Sequence, residues 1–249
     1  MKEIIKSNLK YIIFLFVFGL IGGYFTSIYS AQILTAEQLN DVLVQIGSIE
    51  ILYIIAAVQS VGYALVFGII GKILAKKIGL WRKIEFSKKA VVELVLISVI
   101  GGMAFILFDH FFFNNFSEVI KDSYEVKPTV EYIIASITYG GVVEEVMLRL
   151  FLMSLIAFII QKISKKEVIT NHILVVANII AAILFATGHL PATAMTIGIT
   201  PIILFRCFLL NGGFGLLFGR LYRKYGIHCS MIAHAGVHIV SKLIWILFI

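Results

Sequence analysis

Long apolar runs separated by short charged segments make up most of this 249-residue sequence. A helix needs about 20 mostly apolar residues to cross the hydrocarbon core of a bilayer, and several runs reach that length. The pattern therefore predicts an all-α, polytopic transmembrane helical bundle of seven spans, or eight if the glycine-rich sixth region folds back as a re-entrant segment. The runs lie at about 11–29, 51–73, 90–112, 130–163, 173–190, 192–221 and 226–249.

Two of these runs are irregular. The fourth, 130–163, is too long for one helix perpendicular to the membrane, and a tilted, kinked or protruding helix loosened at Gly140-Gly141 would accommodate it. The fifth is followed by Pro191, which predicts that its helix ends there.

Composition places the whole chain in the membrane. Hydrophobic residues make up 60% of it, charged residues only 14%, and the mean hydropathy is +1.01, outside the range of a water-soluble domain of this length. Residues 1–249 are therefore predicted to form a single integral membrane domain in contact with lipids. The net charge of +7 comes from Lys and Arg clustered between apolar runs, a pattern that indicates membrane topology rather than nucleic acid.

The distribution of charge predicts how the chain is oriented. Segment 72–89 is strongly basic, whereas the loops at 30–50 and 109–131 are acidic. Because basic loops stay on the cytoplasmic side, we expect a multi-pass protein of the cell membrane with a cytoplasmic N-terminus. The first run exceeds the roughly 7–15 apolar residues of a signal peptide, so it is predicted to be a retained span.

An ionisable cluster in the fourth run requires an explanation, because each charged side chain at a bilayer centre costs about 2.5–3.5 kcal/mol. On an α-helix Glu145 and Arg149 are spaced i,i+4 and are predicted to pair. Glu144 is rotated by about 100° from Glu145 and needs a partner from another helix. Apolar surroundings favour such a carboxylate as a general base. A purely structural ion network is the alternative interpretation.

Three histidines complete the candidate site. His189 lies near the end of the fifth run, while His234 and His238 are spaced i,i+4 on one face of the last. At about 1.5 Å per residue, His189 lies about 25 Å from the start of its span and His234 about 12 Å from the start of its own. For the two histidines to lie at the same depth, the fifth helix must begin in the cytoplasm or the spans must be shifted. His228, Arg206 and Lys242 are predicted to lie outside the site, the last two snorkelling to an interface.

Three motifs resemble one known family. They are Glu144-Glu145-x-x-x-Arg149, Phe185-x-x-x-His189, and a glycine-rich 208–226 segment followed by His234. In this order they are similar to the motifs of the membrane CAAX-processing and bacteriocin-processing proteases, also called the CPBP or ABI family. The similarity covers residues 130–240, which would be the protease core.

The resemblance implies a glutamate-type intramembrane endopeptidase without a cofactor. Glu144 and His189 would activate a water molecule, and His234 would help to stabilise the oxyanion. His238 stands where the family usually has Asn, and it completes the catalytic set. Glu145, Arg149 and Phe185 would orient that set or support it structurally.

Substrates and alternative functions remain open at this stage. The substrate would be a prenylated C-terminal peptide, a small secreted precursor or a leader peptide. A zinc peptidase is one alternative, because two histidines at i,i+4 with a glutamate suit Zn²⁺, with Glu144, His189, His234 and His238 as ligands. A non-catalytic peptide-binding immunity protein and a cation-coupled transporter are the others.

Overall fold

Every regular element in the described part of the chain is helical. The computed structural model describes the backbone of residues 2–249 and the side chains of residues 8–249. Met1, the N-terminal residue that is predicted to be cytoplasmic, lies outside the described residues. The elements are α1 (Lys2–Ile33), α2 (Ala36–Ile46), α3 (Ile49–Lys77), α4 (Lys88–Phe111), α5 (Glu118–Ser123), α6 (130–163), α7 (Asn171–Gly188), α8 (Leu190–Thr196), α9 (Pro201–Tyr225) and α10 (Ile227–Phe248), with a 3₁₀ turn at Phe113–Phe116.

The prediction of an all-α membrane bundle is confirmed. Six helical segments of the described chain are long and apolar enough to cross a membrane, with mean hydropathies between 1.7 and 2.5. They correspond to six of the seven predicted spans, and α6 occupies the position of the remaining one. The protein is therefore a multi-pass membrane protein.

Helix α6 fits its length into the bundle by widening its turns. Between α-helical ends at Val130–Ala135 and Ser154–Ile163, it is π-helical over Ser136–Glu144 and Val146–Met153. Hydrogen bonds from i to i+5 put more residues into each turn than an α-helix does, and such turns occur often at functional sites. The expected irregularity is thus a change of helix type on both sides of Glu145.

The fifth helix ends just before Pro191, as the sequence predicts, and a short helix follows it. Helix α7 ends at Gly188, and Pro191 lies in the first turn of α8, where its missing N–H costs no hydrogen bond. The chain turns near Gly198, whose φ of +84° favours glycine. Helix α9 then runs from Pro201 to Tyr225 through one π-helical stretch, Phe208–Gly212, so the re-entrant segment and eighth span are absent from this described region.

Glycines allow three neighbouring helices to approach α6 closely. A Cβ atom added to Gly22 of α1 would lie 3.0 Å from the backbone nitrogen of Tyr139, and one added to Gly71 of α3 would lie 2.9 Å from the carbonyl carbon of Leu150. On the third side, a Cβ atom added to Gly141 would lie 2.8 Å from that of Ala235 in α10. Small residues permit such contacts in membranes, and here they place α6 at the centre of the bundle.

Candidate active site

Glu145 is fully buried and has partners on two helices. Its exposure is 0%, and its Oε1 atom lies 3.1 Å from Nη1 of Arg149, the contact predicted from the i,i+4 spacing. Helix α10 supplies two more partners: the hydroxyl of Ser230 donates to Oε2, and Nδ1 of His234 lies 2.9 Å from Oε1. Glu145 therefore joins α6 to α10.

Arg149 is only 2% exposed and rests against aromatic rings as well as its carboxylate. Its guanidinium carbon lies 4.5 Å from the ring centroid of Phe185 and 5.6 Å from that of Phe218. A desolvated cation gains electrostatic energy from the face of such rings. Gly215 makes room on the remaining side, because an added Cβ atom there would lie 3.3 Å from Nη2. Arg149 thus links α6 to α7 and α9.

Glu144, the neighbouring carboxylate, lacks such partners. It is partly exposed, and no hydrogen bond or ion pair holds its side chain among residues 8–249. The predicted partner from another helix is therefore not present in that range. Tyr139, five residues earlier and so one π-helical turn away, lies within electrostatic range of the carboxylate. Glu144 remains free to bind water or substrate.

His189 caps helix α7 with its ring turned back on its own helix. Nδ1 lies 2.9 Å from the carbonyl oxygen of Phe185. A carbonyl can only accept a hydrogen bond, so Nδ1 carries the proton and the lone pair of the neutral ring lies on Nε2. The ring centroid lies 4.6 Å from that of Phe185, whose ring is in turn 6.4 Å from that of His234.

His234 and His238 stack on one another along α10. Their ring centroids are 5.0 Å apart, and the ring of His234 also stacks on Phe218 at 4.4 Å. The Nε2 atoms of both rings face the backbone of α6. A Cβ atom added to Gly140 would lie 3.2 Å from Nε2 of His238 and 3.8 Å from Nε2 of His234. The absence of a side chain at Gly140 lets both rings approach the backbone of α6 closely.

The family comparison matches the part of the chain that contains these residues. The model of the Rce1-like family, described as type II CAAX prenyl endopeptidase Rce1-like, matches residues 127–240, which are 114 of the 249 residues. Over these residues the chain is similar to the Rce1-like family. No curated protein and no solved structure matches the chain. The resemblance to the CAAX proteases is thereby confirmed for the region that carries the three motifs.

The donor atoms of the Rce1-like region do not form a ready metal site. Among the described residues, no group of three or more His, Cys, Asp or Glu side chains is arranged to hold a metal ion. Nδ1 of His189 and Nδ1 of His234 are already engaged by Phe185 and Glu145. Coordination by Glu144, His189, His234 and His238 together would need these side chains to rearrange.

Two further residues contact the candidate site, and the i,i+4 pair of histidines did not reveal them. Ser230, His234, His238 and Lys242 are spaced i,i+4 in succession along α10 and share one face. Ser230 binds Glu145, and Lys242 contacts His238. Extending the i,i+4 pattern by one step in each direction would have found both. The predicted snorkelling of Lys242 is wrong, since this side chain is buried.

The predicted snorkelling of Arg206 is also wrong. Its guanidinium binds both carboxylate oxygens of Asp109 on α4, with Nη2 2.8 Å from Oδ2. The hydroxyl of Tyr124 donates to the same oxygen at 3.0 Å. The buried carboxylate of Asp109 holds the guanidinium of Arg206 inside the bundle. The two residues are 97 positions apart along the chain, so local spacing rules could not predict the pair.

Proposed function

We propose that this protein is a membrane-embedded endopeptidase of the CAAX type, in which Glu144 and His189 activate a water molecule. The observation that carries the proposal is the contrast between two adjacent carboxylates. Glu145 is buried and bound by Arg149, Ser230 and His234, whereas Glu144 is partly exposed and unbound within the described residues. A carboxylate without bound partners is suited to general-base catalysis.

The first chemical step would be the attack of water on a peptide carbonyl. Glu144 takes one proton from the water, while the lone pair on Nε2 of His189 accepts a hydrogen bond from the other. The water oxygen forms a bond with the carbonyl carbon, and the carbonyl oxygen becomes an oxyanion. Holding the water between two fixed acceptors lowers the entropic cost of the attack.

The second step would break the C–N bond. The oxyanion re-forms the carbonyl, the bonding electron pair goes to the nitrogen, and the proton held by Glu144 passes to that nitrogen. The products are a new carboxyl group and a new amine. His234 and His238 would donate hydrogen bonds to the oxyanion from Nε2, His234 in its doubly protonated form with Glu145 as counter-ion.

Peptides or lipidated peptides at the membrane are the proposed substrates. A prenylated C-terminal peptide agrees best with the description of the family that the region matches. A leader peptide and a small secreted precursor are the other candidates. We place the enzyme in the cell membrane with its N-terminus in the cytoplasm, because the basic and acidic loops alternate along the chain.

The test is a cleavage assay on protein purified in detergent. The probes are an internally quenched peptide ending in a farnesylated CAAX sequence, its unprenylated counterpart, and a leader-type peptide. We expect Glu144→Gln to lower kcat by roughly 10²–10⁴-fold. Glu118→Gln is the matched control, since this glutamate pairs with Lys121 on the exposed surface. Full activity in Glu144→Gln would refute the mechanism, and tight binding without cleavage in the wild type would favour the peptide-binding protein.

A further inference from the structure

Lys242 is a buried cation without a carboxylate partner. It is 4% exposed, lies one turn after His238 on α10, and forms no ion pair with any described residue. Other buried cations of the bundle do have such partners: Arg149 binds Glu145 and Arg206 binds Asp109. Burying an ammonium group in a membrane is costly and usually marks a functional position.

The surroundings of Lys242 determine which way its hydrogen bonds run. Nζ lies 4.0 Å from the ring centroid of Tyr132, a cation–π distance for the ammonium form. Nζ also lies 3.5 Å from Nδ1 of His238, at the long end of the hydrogen-bond range. An ammonium group has three donors and no acceptor. When Lys242 is an ammonium group, Nδ1 of His238 accepts, and the ring proton of neutral His238 is on Nε2.

That proton points towards the backbone of α6. Nε2 of His238 is the atom closest to the position that a side chain on Gly140 would occupy, at 3.2 Å, and Nε2 of His234 approaches the same point. Gly140 lies on the π-helical segment that ends at Glu144. A hydrogen-bond donor at this place therefore lies beside the helix turn that leads to Glu144.

The three histidines are therefore held differently. A carbonyl holds His189 with its lone pair on Nε2, and a carboxylate holds His234 through Nδ1. In their neutral forms, both rings can only accept at Nε2. With Lys242 as an ammonium group, His238 is the one ring of the three that presents an N–H donor at Nε2 without carrying a charge.

We propose that Lys242 is a positioning residue that fixes His238 as the Nε2–H tautomer, so that His238 donates a hydrogen bond to the oxyanion. This inference rests on the proposed peptidase function. It also accounts for the imidazole at a position where the resembled family usually has Asn. An amide side chain carries its own N–H donors, whereas a neutral imidazole presents one at Nε2 only if its tautomer is fixed.

A double-mutant cycle on cleavage of the farnesylated peptide tests the role of Lys242. Lys242→Met keeps a long side chain and removes the donor, and we expect kcat to fall roughly 10- to 100-fold with little change in KM, less than the loss of a direct oxyanion donor. His238→Asn supplies an amide donor and should make Lys242 dispensable. In that background Lys242→Met should change kcat by less than about twofold.

Equal losses in the two backgrounds would show that Lys242 acts only on packing and would overturn the inference, as would an unchanged kcat in Lys242→Met. The proposed function is tested separately by Glu144→Gln. If Glu144→Gln is inactive while Lys242→Met is fully active, only the role of Lys242 is refuted.

A second measurement does not depend on activity or on any variant folding well. Protein labelled with ¹⁵N-histidine in detergent micelles reports the tautomer of each neutral ring through its nitrogen chemical shifts, and His238→Asn identifies the signals of His238. We expect wild-type His238 to carry its proton on Nε2. A proton on Nδ1 of wild-type His238 would overturn the proposal. In Lys242→Met that preference should be lost, and its retention there would also count against Lys242.

Discussion

Nδ1 of His234 lies 2.9 Å from Oε1 of Glu145, across the contact between α10 and α6. This contact joins the first motif of the sequence to the last. It occupies Glu145 and not the adjacent Glu144. Glu145 has its oxygens occupied by Arg149, Ser230 and His234. Glu144, one residue earlier, forms no hydrogen bond or ion pair with any of them. Two neighbouring carboxylates thus have different chemistry because the helix presents them to different surroundings.

Glu145→Gln should destabilise the protein as well as impair cleavage. The amide keeps the shape of the side chain but removes the charge, which leaves Arg149 buried without its counter-ion. Breaking a buried ion pair from one side costs about 3–5 kcal/mol. Thermal unfolding in detergent measures the effect. Glu144→Gln is the matched control and should melt close to the wild type, because that carboxylate binds no described side chain. Equal melting temperatures for the two variants would contradict the assignment.

Local spacing predicted the contacts within one helix and missed those between helices. The i,i+4 rule was sufficient for Glu145 with Arg149 and for the shared face of His234 and His238. It could not predict that Asp109 binds Arg206, because their helices meet only through tertiary packing. For the same reason, distances counted along single helices set His189 apart from His234, whereas in the bundle the ring of Phe185 lies between them.

The π-helical turns of α6 were beyond sequence reasoning for a different reason. Gly140-Gly141 indicated a weak point, but glycine is also compatible with a kink or a straight helix. The wider turns occur where three neighbouring helices approach α6 closely, and the sequence of α6 does not contain that packing. The rotation assigned to Glu144 from a period of 3.6 residues was consequently only approximate.

Gly219→Ala should disturb the contact between α7 and α9. An added Cβ atom would lie 1.7 Å from Oδ1 of Asn178, whose amide donates to the carbonyl oxygen of Leu216 at 3.0 Å. Displacing this buried side chain should cost about 1–3 kcal/mol through the lost hydrogen bond. Gly213→Ala is the control on the same helix, because nothing lies within 4 Å of its added Cβ atom. Thermal melts should separate the two variants, and Asn178→Ala should partly rescue Gly219→Ala.

Arg206→Met should lower the stability of the protein, although Arg206 takes no part in the proposed cleavage reaction. The substitution leaves Asp109 buried and joined only to Tyr124, and loss of one partner from such a pair costs about 3–5 kcal/mol. Asp109→Leu combined with Arg206→Met removes both charges and should regain part of the loss. Lys121→Met, which breaks an exposed pair with Glu118, should leave the melting temperature unchanged. A double variant less stable than Arg206→Met would argue against a simple buried pair.

Removal of metal ions should leave cleavage unchanged. Zinc in a catalytic site takes three protein ligands at about 2.0–2.2 Å, and no such group of donors is assembled within the described chain. Binding at His234 through Nδ1 would also compete with its contact to Glu145, and the Nε2 atoms of His234 and His238 lie against the backbone of Gly140. Cleavage of the farnesylated peptide should therefore proceed at the same rate with and without EDTA. The opposite outcome is activity that is lost on chelation and returns with Zn²⁺ but not with Mg²⁺. It would mean that Glu144, His189, His234 and His238 rearrange into a metal site. A zinc-dependent mechanism would then replace the glutamate mechanism.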